Sequence, residues 1–176
     1  MNIPEIEWQP ISRAQFIAWL VFYALLYFYL GLHFSDMTPI DNVDLVVHEA
    51  GHLLFSYFGQ TLYVWGGTIF QLLVPLLLAA SFAWRQHLPG VVFSSVAFFH
   101  NCLYVATYMR DALLLELPLV TVGGGEAEHD WVRIFSDLGV LPHALEIGSA
   151  MRWFGWCGLI ATMGWFCWRY AKSGLR

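Results

Sequence analysis

Residues 15–32 carry no charged side chain, and three further apolar stretches follow at 67–84, 91–109 and about 145–168. A helix needs roughly 20 apolar residues to cross a bilayer core, where the backbone must satisfy its own hydrogen bonds. That length is the strongest constraint on the chain. Composition agrees with it: 59% of residues are apolar, 12% are charged, and the mean hydropathy is +0.58. A soluble domain would carry roughly 45–50% apolar and about 25% charged residues, so both a soluble fold and a disordered tail are excluded. With 9 Trp and 8 Tyr the chain is also well supplied with side chains that settle at membrane interfaces.

The expected fold is an all-α polytopic membrane protein, one transmembrane domain over residues 1–176. It has about four transmembrane helices plus a half-helix or re-entrant segment at 43–57 that returns through 58–66. The alternative is five full spans. Run 15–32 is longer than the apolar part of a signal peptide and no A-x-A cleavage site follows it, so it reads as a retained span. In the four-span arrangement Arg13, Arg85, Arg169, Lys172 and Arg176 share one side, a positive-inside pattern with cytoplasmic termini. That arrangement also brings the acidic 34–42 loop and the polar 110–143 segment to the same face. A net charge of −5 and a single Lys supply no basic surface for nucleic acid, so the expected partners are membrane lipids and a membrane-protein or peptide substrate. Oligomeric state is left open. Cys102, Cys157 and Cys167 lack paired spacing and read as small buried apolar side chains.

Chemistry is concentrated in His48-Glu49-Ala50-Gly51-His52. Four-residue spacing puts both imidazoles on one helix face, where they can bind one Zn²⁺, and sets Glu49 beside them as general base toward water. The chain's own His and Glu frequencies produce this element by chance roughly once in a hundred sequences. Three ionisable groups in five residues of an apolar segment also make a purely structural role unfavourable. Ala50 and Gly51 allow a neighbouring helix or a substrate backbone to approach closely.

An HEAGH element in an apolar helix, followed by a Gly-rich turn and an apolar span, resembles the membrane-embedded zinc metallopeptidases of the site-2 protease type. It also resembles small bacterial peptidase-like membrane proteins. That resemblance implies zinc-dependent peptide hydrolysis in a bacterial inner membrane, with His48 and His52 as ligands and Glu49 as catalytic base. The Asp-Gly motif that carries the third ligand in that family is not present in this sequence.

A catalytic zinc ion takes three protein ligands and keeps one position open. His129, following three consecutive glycines in a loop that can fold back, is the expected third ligand. Asp130, Asp111, His100, Glu128 and Glu126 are the alternatives, with Asp130 also readable as the N-cap of a short helix. Asp111 and Asn101 are candidates for hydrogen-bonding the ligands and setting their orientation. Gln71 and His100 read as interhelical hydrogen-bonding groups, and Pro75 as a kink. The expected function is therefore an integral-membrane zinc hydrolase, foremost a metallopeptidase. A metal-binding or sensing membrane protein without hydrolysis, and a zinc hydrolase of lipid or other amides, are the alternatives.

Overall fold

A computed structural model describes residues 8–34, 37–118 and 128–173. Among them the chain forms the helices α1 (Arg13–Leu32), α2 (Asp41–Phe55), α3 (Gln60–Trp84), α4 (Leu88–Leu114), α5 (Asp130–Asp137) and α6 (Ala144–Ser173), with no strand. Local chemistry sets the helix starts. Ser12 and Gln15 form a capping box at α1, Ser12 Oγ accepting from the Gln15 amide (3.2 Å) and Gln15 Oε1 accepting from the Ser12 amide (2.9 Å). At α4, His87 Nδ1 accepts from the Gly90 amide at 3.1 Å, with Pro89 in the first turn.

Helices α1, α3 and α4 are long and apolar enough to cross a membrane. Their outward faces carry Leu25, Phe28, Leu32 and Leu77, all largely exposed, as suits contact with hydrocarbon. Helix α6 is longer at 30 residues but less apolar, so the expected fourth span at 145–168 falls in a helix of span length that composition does not mark as clearly. Cys102 is buried, whereas Cys157 is exposed on α6, contrary to the reading of the cysteines as buried side chains.

Helix α6 runs antiparallel along α4 through a stripe of glycines. A Cβ at Gly148 would lie 2.5 Å from Arg110, and one at Gly158 would lie 2.0 Å from Phe99. Helix α1 covers α6 in turn, with Phe16 stacked on Tyr170 and the Tyr27 hydroxyl donating to the Leu159 carbonyl at 2.9 Å. One end of the bundle gathers the start of α1, the 85–87 turn and the end of α6. There the Gln9 amide donates to the Gln86 carbonyl at 2.9 Å, and the Arg169 guanidinium lies over the Trp8 ring. The opposite end holds the end of α4, α5 and the start of α6, packed around Met109, Trp131, Ile134, Phe135 and Ala144.

Helices α2 and α3 form a tight antiparallel hairpin. A 3₁₀ turn, Ser56–Phe58, and Gly59 at φ +92° make the whole connection. Residues 60–66, expected as part of a returning turn, are instead the first turns of α3, and Gly66 and Gly67 lie inside the helix. These glycines let the two helices touch: a Cβ at Gly51 would sit 2.3 Å from the Gly66 carbonyl oxygen, and a Cβ at Gly67 would sit 2.4 Å from the His48 ring. At 15 residues α2 is shorter than a span needs, and it packs beside the middle and C-terminal part of α4: Asp44 meets His100 and Asn101, and His48 meets Tyr108. Helix α2 is not among the helices that length and composition mark as able to cross a membrane.

Replacing Gly51 by Ala should force the hairpin apart, at about 1–3 kcal/mol of stability. The midpoint of thermal unfolding in detergent is expected to fall by several degrees. Gly164→Ala, where the added methyl meets nothing within 4 Å, is the matched control and should leave the midpoint unchanged or raised.

Candidate metal centre

Three side chains from two elements converge at the α5 end of the hairpin. His48 Nε2 lies 2.8 Å from Asp130 Oδ2, His52 Nε2 lies 3.1 Å from the same oxygen, and the two Nε2 atoms are 3.0 Å apart. All three residues are buried. The outer imidazole nitrogens are also engaged. His52 Nδ1 faces the Tyr63 carbonyl at 2.7 Å, and since a carbonyl only accepts, this nitrogen carries the proton.

The tautomer of His48 is set by a longer chain. Asn101 Nδ2 donates to Asp44 Oδ1 (2.9 Å) and to the Ala97 carbonyl (3.0 Å), and the carbonyl admits only a donor. Asn101 Oδ1 therefore faces Gln71 and accepts from Gln71 Nε2 at 3.3 Å. Gln71 Oε1 is then left to accept from His48 Nδ1 at 2.5 Å. With both rings neutral, the two Nε2 atoms carry lone pairs, and these face one carboxylate oxygen at about 3 Å. Such a set is unfavourable by itself and suited to one cation about 2 Å from each donor.

Glu49 belongs to the same cluster. A carboxylate oxygen of Glu49 lies within 4.8 Å of a ring nitrogen of His48 and of His52, and the residue is only half-buried. These buried His and acidic groups can hold a metal ion.

His129, the expected third ligand, points elsewhere. Its Nε2 lies 3.2 Å from Asp111 Oδ2, its ring stacks on Tyr108 at 4.3 Å between centroids, and its Nδ1 accepts from the Val132 amide at 3.4 Å. It is the N-cap of α5, the role the sequence suggested for Asp130, and capping occupies the nitrogen that would otherwise be free. Burial holds the His129 imidazole below its ordinary pKa despite Asp111. Asp111 also accepts the amides of Glu116 (2.8 Å) and Leu117 (3.2 Å). Asp111 thus holds His129, His129 caps α5, and the first residue of α5 is Asp130, whose amide donates to the Tyr108 hydroxyl at 3.2 Å. Asn101 acts on His48 through Gln71 rather than directly. His100 lies among Asp41 and Asp44, Glu128 is exposed, and Glu126 lies outside the described residues. Gln71 was legible as a polar residue in an apolar run, whereas the Tyr63 carbonyl has no signature in sequence.

No protein-family model, curated protein or solved structure matches the chain. Function must therefore be argued from the site.

Supports of metal-ligating histidines typically carry a 10–100-fold effect on affinity. Gln71→Leu is expected to weaken metal binding by about that factor in competition with a chromophoric chelator. Asp130→Ala should weaken it further than His129→Ala, and the reverse order would remove Asp130 from the ligand set.

Proposed function

We propose that the protein is an integral-membrane, zinc-dependent hydrolase, foremost a metallopeptidase. The observation that carries this reading is the half-buried Glu49 carboxylate beside a His48–His52–Asp130 set in which both histidines bind a fixed acceptor through Nδ1 and turn Nε2 toward Asp130. Three ligands of this N,N,O type leave an open position, the pattern of catalytic rather than structural zinc sites. A zinc ion held there supplies Lewis acidity, which lowers the pKa of an adjacent water and polarises a carbonyl.

The chain's own residues account for the proton transfers. Glu49 accepts a proton from the water as its oxygen bonds to the amide carbon. It returns that proton to the amide nitrogen as the C–N bond breaks, so no net proton is consumed. Gln71 and the Tyr63 carbonyl keep both imidazoles oriented through the cycle. Tyr108 and the Asp111–His129 pair hold the start of α5, and hence Asp130, in place. The basic residues Arg85, Arg169 and Lys172 gather at the far end of the bundle from this site. The positive-inside tendency supports a site on the non-cytoplasmic side of the membrane.

The test is Glu49→Gln in the full-length protein in detergent or nanodiscs, assayed by mass spectrometry on peptide and lipid-amide panels. Hydrolysis is expected to fall by about 10²–10⁴-fold, the scale of a lost general base, with metal content equal to wild type. Cleavage of lipid amides alone would keep the chemistry and replace the substrate. Absence of any wild-type turnover with metal bound would overturn the hydrolase reading in favour of a metal-binding membrane protein.

A further inference from the structure

A second cluster lies two hydrogen-bonded side chains from His48, through Gln71 and Asn101. Asp41 and Asp44 stand three residues apart on the first turn of α2, so they share a face, and that face meets His100 in the middle of α4. His100 Nδ1 lies 2.9 Å from Asp44 Oδ2, and His100 Nε2 lies 3.5 Å from Asp41 Oδ1. The three are 6%, 8% and 6% exposed for Asp41, Asp44 and His100, and their ligating atoms lie within 4.8 Å of one another. Ionised carboxylates this deeply buried need partners. Asp41 accepts from the Thr38 amide, and Asp44 Oδ1 accepts from Asn101.

Two oxygens are left over. Asp44 Oδ2 faces His100 Nδ1 at 2.9 Å and makes no further hydrogen bond. Thr38 Oγ1 is buried without a partner. Thr38, Asp41 and His100 line a cavity of about 20 Å³ together with Leu30, Tyr104 and Trp156, room for a single ion or water. The Arg152 guanidinium lies 3.2 Å from Thr107 Oγ1 and over the ring of Phe34, two residues of the same cavity wall.

We propose that Asp41, Asp44 and His100, with the Thr38 hydroxyl, form a second divalent-cation site suited to zinc or manganese. The mixed set of carboxylate, hydroxyl and imidazole donors selects a transition metal over magnesium or calcium, which take oxygen alone. An ion there engages Asp44 Oδ2 together with the Thr38 hydroxyl and ties the start of α2 to α4. The proposal does not rest on the hydrolase reading, because it shares no ligand with His48, Glu49, His52 and Asp130. The two sites meet at Asp44 alone: Oδ1 holds the Asn101–Gln71–His48 chain, and Oδ2 belongs to the second cluster.

Purified full-length protein, stripped with chelator and dialysed against zinc, is analysed by elemental mass spectrometry. About two zinc ions per chain are expected for wild type, about one for Asp41→Asn and about one for His52→Ala. Asp41 is chosen because, unlike Asp44, it does not hold Asn101. An Asp41→Asn protein that binds as much zinc as wild type overturns the proposal and leaves His100 as the centre of a buried ion pair. One ion in wild type that survives His52→Ala but disappears in Asp41→Asn would support the second site and sink the first. Zinc-edge anomalous scattering from zinc-loaded wild-type crystals reads both positions without depending on a variant's folding. A peak between the first turn of α2 and His100 is expected, and its absence overturns the proposal.

Discussion

Asn101 gives its amide hydrogens to the Ala97 carbonyl and the Asp44 carboxylate, and the chemistry of the HEAGH helix follows from that arrangement. A carbonyl cannot donate, so the direction of every hydrogen bond from Asn101 through Gln71 to His48 is determined. The result is a bare Nε2 on His48, the state a metal ligand must have. In an apolar bundle water does not compete for these groups, and an unsatisfied member would cost about 1–3 kcal/mol. The polar chain is therefore complete or strongly disfavoured.

Close helix approach makes that chain reachable. The His48 ring lies against the backbone of Gly67, and Gly51 meets the Gly66 carbonyl, so α2 and α3 are nearer than helices bearing side chains at those positions could be. With a side chain at Gly67 the imidazole would be displaced from Gln71. The same hairpin brings the Tyr63 carbonyl to His52 Nδ1. Two small-residue contacts thus convert a sequence pattern into a pair of oriented imidazoles, while α5 supplies the carboxylate from a distant part of the chain.

Much of this was legible in sequence, for identifiable reasons. Apolar runs near 20 residues report helices of span length because bilayer thickness sets the length, and α1, α3 and α4 follow that rule. The weaker run in α6 carries Glu146 and Arg152, and composition marks it less clearly. His48 and His52 share a face because four residues are close to one helical turn. The third donor was not legible at single-residue resolution. His129 and Asp130 are neighbours in a Gly-preceded segment, and the one that faces the histidines depends on which caps α5. His129 Nδ1 takes the Val132 amide and its Nε2 turns to Asp111, which leaves Asp130 to reach the pair.

The sequence alone determined the helical class, the membrane-length runs and the local pairing of His48, Glu49 and His52. All of these arise from periodicity and length, quantities a linear chain carries in itself. Only the tertiary structure decided that α3 begins at Gln60, that Asp130 rather than His129 meets the imidazoles, and that Asp41 and Asp44 gather on His100. Those outcomes depend on contacts between residues tens of positions apart, where one hydrogen bond or the absence of one Cβ selects which side chain fits.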